Sequence, residues 1–287
     1  QLSGFSWGVS VSDAVEASFV RCELASNGSA GVNVAGLGTY LELDDCVVRD
    51  HINDDLDVVG RGVQAADQAV VSVTGTLLTE NESGVYISHE DTFVTLTDSH
   101  VRGQSPQPEQ LFFGGVDIGD KARIEIHGCL FQDLRAVLGV FDARTELVMG
   151  SSKVALPDQL EAGDSLPVGL QVVDGAEVVV TKCLFDRLHS TAMLVAQGGA
   201  QLTASQTVVR GTRAHSSGRY GNGLQVLMGG QVELSGCFFS GNREAGLVAS
   251  DVGTMLDVRG SLISGTNSND FGEMGQGLFV GAGATSL

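Results

Sequence analysis

Along the chain a small residue, an apolar residue, a variable residue and a second, mostly apolar residue recur as one frame. It opens at Gly8, Gly31, Gly62, Gly84, Gly115, Ala136, Gly169, Ala192, Gly223, Gly246 and Gly277. The next residue is always Val, Leu or Met: Val9, Val32, Val63, Val85, Val116, Val137, Leu170, Met193, Leu224, Leu247 and Leu278. About nine residues later a second alternation appears, as in Leu41-Glu42-Leu43, Ile124-Glu125-Ile126 and Val232-Glu233-Leu234. A third segment leads with a small residue and continues with two apolar ones, as in Cys46-Val47-Val48, Cys129-Leu130-Phe131 and Cys237-Phe238-Phe239. Alternation with period two reads as a short strand, because successive strand side chains point to opposite faces. Three strands in about 22 residues, with no helical period between them, predict one coil of a parallel β-helix.

A longer period overlies the first. Successive openers are 23, 31, 22 and 31 residues apart from Gly8 to Gly115, so the double coil repeats at 53 or 54 residues. The excess falls after the third strand, in inserts at about 50–61, 103–114, 155–168, 212–222 and 265–276. All four prolines (Pro106, Pro108, Pro157 and Pro167) lie in two of these inserts, where no ladder hydrogen bond is lost. With rungs ~4.8 Å apart, the stacked coils predict a rod on the order of 50 Å long.

Composition agrees with many small repeated contacts: 39 Gly, 43% hydrophobic and only 6% aromatic residues in 287. Sixteen Lys and Arg against 35 Asp and Glu leave a formal charge of −19, which repels nucleic acid and anionic membrane surfaces. No apolar run approaches the ~20 residues needed to span a bilayer.

The G-h-x-h, h-E-h and C-h-h signatures, carried along the whole chain, resemble the right-handed parallel β-helix repeat family of bacterial secreted and surface proteins, whose fold pectate lyases and polygalacturonases share. The expectation is an all-β chain: a right-handed parallel β-helix of about eleven three-strand coils, short coils alternating with coils that carry a long loop, as a single domain over residues 1–287. The resemblance implies an extracellular or cell-surface location. Neither end carries a recognisable cap, and repeat stacks need polar caps, so a fragment of a longer chain or capping by a partner is expected.

In enzymes of this fold the resemblance implies that substrate lies along the first strand of each coil. The outward row expected there is Ser10, Asn33, Gln64, Tyr86, Asp117, Leu138, Gln171, Leu194, Gln225, Val248 and Phe279. It holds one carboxylate. Hydrolysis by paired carboxylates needs two, and a calcium-dependent lyase needs clustered acidic ligands beside a base. The reading is therefore a non-catalytic β-helix that presents loops or a shallow groove to a glycan or another protein. A polysaccharide lyase or glycoside hydrolase with a non-standard site is the alternative, and a plain structural spacer a third. Each long loop is expected to cover the apolar position of its own coil, leaving Leu138, Leu194 and Val248 buried and Gln171 and Gln225 accessible. The sharper reading has Gln or Asn bonding sugar hydroxyls and Tyr86 or Phe279 stacking on sugar rings.

The insert from Arg213 to Tyr220 combines His215, Tyr220 and two arginines, Arg213 and Arg219, near His189 and Gln225. Ligand binding, if present, is expected at Asp117, Gln171, His189, Arg219, Tyr220 and Gln225. No cofactor is expected, although Asp50, Asp54, Asp55 and Asp57 have the oxygen density that calcium binding would need. A recurring Asp (Asp13, Asp67, Asp120, Asp174, Asp251) reads as turn chemistry. Cys46, Cys129, Cys183 and Cys237 share one position in coils two or more apart, too far for disulfides, with Cys22 outside the row. Arg49, Arg102 and Arg210 read as anchors for the loops that follow them. Glu16, Glu42, Glu125, Glu233 and Asp257 read as one solvated row.

Overall fold

The computed structural model describes residues 1–52, 59–103, 114–134, 137–155 and 168–287. Three parallel sheets of 11, 11 and 10 strands wrap one apolar interior, and every strand pairs with its counterpart one coil away. The described residues contain no helix. This is the right-handed parallel β-helix of about eleven coils that the alternation predicts. First-sheet strands run from Trp7–Val11 in coil 1 through Arg61–Ala66 in coil 3 and Val116–Ile118 in coil 5 to Gln276–Val280 in coil 11. The four prolines lie outside the described residues.

The interior column of the first sheet is Val32, Val63, Val85, Val116, Leu138, Leu170, Met193, Leu224 and Leu247, all almost fully buried. Each such side chain contributes ~1.5–3 kcal/mol by leaving water. The sixth coil departs from the expected frame. Leu138, not Val137, pairs with Val116 and Leu170, and Gly139 takes the outward place. Leu138 is therefore a core residue and its burial owes nothing to a loop. Val137 and Leu138 are both apolar, so alternation alone leaves the register of this strand open by one residue.

The double period reaches the core. On the third sheet Phe131, Val154, Phe185, Val209 and Phe239 stack in register, large residues alternating with small. Each Phe ring lies against a frame-opening glycine. A Cβ on Gly223 would come within 2.9 Å of Phe239 Cδ1 and 2.5 Å of the Gly246 carbonyl oxygen, which is why that position is glycine.

The recurring Asp residues all take left-handed backbone, with φ of 62°, 56°, 56°, 55° and 81° in chain order, as turn chemistry requires. The cysteine row is a polar ladder. The backbone N–H of Cys46 donates to Thr76 Oγ1 (3.2 Å), that of Cys129 to Ser152 Oγ (3.0 Å) and that of Cys237 to Ser261 Oγ (3.0 Å). Cys22 belongs to it too, its N–H donating to Cys46 Sγ at 3.4 Å, which corrects its expected place outside the row.

The second-sheet acidic row is corrected. Glu16 pairs with Tyr40, and Ser18 stands beside Glu42 instead. The arginines that end third strands pair across rungs: Arg210 Nε donates to Asp186 at 2.8 Å and Arg49 to Glu23 at 2.6 Å, both on the preceding coil. Arg49 also pairs with Asp50 beside it. Burial pushes the Asp186 carboxyl up, but Arg210, Arg187 and Lys153 together hold it below the usual carboxylate range.

Candidate functional site

Stacking converts single outward residues into columns. On the first sheet the column runs Ser10, Asn33, Gln64, Tyr86, Asp117, Gly139, Gln171, Leu194, Gln225, Val248 and Phe279. Val248 is buried at 8% exposure. Leu194, Gln171 and Gln225 are all half-buried, so the expected contrast between hidden leucine and open glutamines does not hold there. Side chains one rung apart, ~4.8 Å, shade one another whatever their polarity.

The densest polar group in this column spans coils 3 to 5. Arg61, at the start of its strand, lays its guanidinium 3.6 Å from the Tyr86 ring centroid and donates to Gln64 Oε1 at 2.8 Å. Asp117 is only 7% exposed. Its Oδ2 accepts from Ser83 Oγ at 3.3 Å and from the Gly114 N–H at 3.2 Å. Burial pushes the carboxyl up to about 7, against the pull of those two donors and of the Arg61 charge. Burial also lowers the Arg61 guanidinium from its ordinary value, with Tyr86 and Asp117 opposing. Gly139 leaves the room: a Cβ there would meet the Phe141 ring at 2.6 Å and Asp117 Oδ1 at 3.1 Å. Arg61, Ser83 and Gly114 are the partners that sequence reading missed. Their only sequence signal is position, since Arg61 and Ser83 precede Val63 and Val85 by two residues.

The second expected locus is built differently. In the insert over 212–222 the His215 N–H donates to the Arg219 carbonyl at 2.8 Å, and His215 Nδ1 accepts from the Ser217 N–H at 3.2 Å. One period later Asn269 repeats both contacts, donating to the Glu273 carbonyl at 3.0 Å and accepting from the Phe271 N–H at 3.1 Å. His215 thus holds a turn that an amide also holds. The two inserts stack: the Asp270 N–H donates to the Gly218 carbonyl at 3.0 Å, and Arg219 lies 5.8 Å from the Phe271 ring. Glu244 accepts from the Tyr220 N–H between them.

The six expected ligand residues share one side of the rod without converging. His189 is buried at 9% exposure and bridges Arg213 through backbone. Tyr220 adjoins that turn, because the Gly221 N–H donates to the Ser190 carbonyl at 2.6 Å. Gln225 Oε1 is 3.5 Å from Thr191 Oγ1. Asp117 is four rungs from Gln225, on the order of 20 Å, with Gln171 halfway between. Of the calcium candidates, Asp54, Asp55 and Asp57 lie outside the described residues.

The second sheet holds a further feature. A cavity of about 470 Å³ opens where coils 4, 5 and 6 turn into that sheet. Glu90 accepts from Lys121 Nζ at 2.9 Å and lies 3.7 Å from Arg144; Arg123 donates to Glu125 at 2.7 Å and lies 3.7 Å from Glu146. Arg123 also stands 5.6 Å from the Phe93 ring.

No curated protein matches the chain in sequence. Among solved structures it is similar to the crystal structure of pectate lyase Pel9A, with a TM-score of 0.55 and 10% identity over 88% of this chain and 69% of that one. At that identity the likeness speaks for the fold alone. A family model described as right handed beta helix region matches residues 61–263, from the third coil into the tenth. On that match, and on the three stacked parallel sheets it spans, the chain belongs to the right-handed β-helix family.

Proposed function

We propose that this chain is a non-catalytic extracellular or cell-surface β-helix that offers the outward column of its first sheet to a glycan. One observation carries the reading. Asp117 is the only carboxylate in that column, and it is buried with its Oδ2 already accepting from Ser83 and Gly114. A ligand along the column meets amides, with the Phe279 ring at the last rung, instead of a pair of acids. Asn33, Gln64, Gln171 and Gln225 both donate and accept, as sugar hydroxyls require. Binding is expected at Gln171, His189, Arg219, Tyr220 and Gln225, with Asp117 ordering the column through Ser83. Another protein as the ligand is an outcome that glycan screening distinguishes.

A polysaccharide lyase or glycoside hydrolase with a non-standard site is the second reading, and the same carboxyl supports it. A group poised near neutral pH beside a guanidinium suits proton transfer. The two readings separate in one experiment. Pectate, alginate and neutral polysaccharides are incubated with the protein, with and without calcium, while a glycan array is probed in parallel. The proposal expects no product and a binding signal lost in Gln225→Ala. Turnover that disappears in Asp117→Asn overturns it.

A further inference from the structure

We infer that the second sheet carries a separate track for a neutral polysaccharide, formed by Tyr40, Val70 and Phe93 in one column and ending in the charged cavity at Arg123 and Glu146. It does not depend on the first-sheet reading, because none of these residues lies on that sheet.

The track follows from register. Tyr40 pairs with Val70, Val70 with Phe93, Phe93 with Arg123 and Arg123 with Glu146, each opening its second-sheet strand. Tyr40 and Val70 are each 36% exposed, and Phe93 is half-buried. Three unbroken rungs of apolar surface are unusual on the outside of this rod, whose outward second-sheet residues are otherwise mostly polar. Tyr40 and Phe93 are two rungs apart, on the order of 10 Å. That span suits alternate rings of an extended hexose chain, whose hydrocarbon faces stack on aromatic rings. The parallel column two residues on runs Glu42, Ser72, Thr95 and Glu125, which places hydroxyls and carboxylates beside the apolar rungs to meet ring hydroxyls.

Charge selects the ligand class. The cavity sets Lys121, Arg123 and Arg144 against four carboxylates, so it is close to neutral in a chain of formal charge −19. A polyuronate would meet Glu42 and Glu125 at the two ends of the polar column, and a basic peptide would find Glu90, Glu125 and Glu146 already paired with Lys121, Arg144 and Arg123. An uncharged polyol meets neither conflict, and the side chains of both ion-pair groups can accept from or donate to its hydroxyls. At about 470 Å³ the cavity falls within the ~300–1,000 Å³ range of small-ligand sites, room for a terminal sugar residue. The apolar track is one column wide, too narrow for the core of a protein interface of ~800 Å² per partner.

The test is calorimetric titration of the protein with neutral gluco-, manno-, xylo- and galacto-hexasaccharides, alongside oligogalacturonate and oligolysine. Saturable binding of at least one neutral hexasaccharide is expected, weakened at least tenfold by Tyr40→Ala and by Phe93→Ala and retained in Phe93→Tyr. Tyr40 is exposed enough that its truncation leaves the fold intact, so its result stands even if Phe93→Ala misfolds. Absence of binding to every neutral hexasaccharide overturns the inference. So does binding that ignores both aromatic substitutions, or binding only to oligogalacturonate or oligolysine. Loss in Gln225→Ala with no effect of Tyr40→Ala would support the first-sheet reading and refute this one.

Discussion

Asp117 and His215 are both titratable residues beside the first sheet, and the rod treats them in opposite ways. Asp117 sits on the outward column of coil 5, where, besides the Gly114 N–H three residues away, its neighbours come from coils 3, 4 and 6: Arg61, Ser83 and Gly139 are all at least 22 residues away in sequence. Stacking buries it and pushes its carboxyl up to about 7. His215 sits in an insert that closes on itself through Ser217 and Arg219, and the same insert shape recurs at Asn269 without an imidazole. The loop that looks richest in acid and base groups is thus held by its own backbone, while a lone carboxylate in a polar column acquires the perturbed proton affinity. In a solenoid, unusual chemistry arises where rungs converge more than where one segment concentrates reactive residue types.

The largest expected effect tests the register on which this contrast rests. Val226 is fully buried one residue beyond half-buried Gln225, so Val226→Asp leaves an unpaired charge between coils and should cost several kcal/mol in urea denaturation. Glu233→Gln, on an exposed second-sheet position, should change stability by no more than ~0.5 kcal/mol. Equal effects would dissolve the distinction between inward and outward columns.

Asp117 gives the next effect, through pH. Its folded pKa of about 7 lies above the ordinary 3.8, so the folded state keeps a proton that the unfolded chain has released. Its contribution is fully present below about 4 and is lost as pH rises to about 7, a change on the order of a few kcal/mol. The stability difference between wild type and Asp117→Asn, followed by chemical denaturation from pH 4 to pH 8, should therefore shift in favour of the variant with rising pH. A pH-independent difference would mean that the carboxyl is not buried as described. His215 should give the smallest response: His215→Asn is expected to stay within ~0.5 kcal/mol of wild type, because Asn269 makes the equivalent contacts in the next insert. A loss above 1 kcal/mol, or loss of glycan binding with stability intact, would give the His215 side chain a role beyond holding its turn.

Much of the fold was legible because its determinants are local. The apolar alternation set the strand faces, Asp at left-handed positions set the turns, and the alternation of 22–23 with 31-residue spacings set which coils carry inserts. Legibility failed where local pattern was degenerate. Val137 and Leu138 are equally apolar, so only pairing with Val116 and Leu170 put Leu138 in the core and Gly139 outside. Glu16 and Ser18 are both polar and two residues apart, so the row to which each belongs depends on whether Tyr40 or Glu42 lies opposite.

By itself, then, the sequence determined the coil, its two periods, the interior columns and the turn positions, since each is a matter of which way neighbouring side chains point along a strand only a few residues long. The tertiary structure alone decided that Arg61 covers Tyr86, that Asp117 is buried against Ser83, that Tyr40, Val70 and Phe93 form one track, and that Lys121, Arg123 and Arg144 meet at one cavity. Apart from Lys121 and Arg123, which are two residues apart, these contacts join residues about 21 to 34 apart in sequence, and a change of one residue in a single rung exchanges the inward and outward faces of its strand.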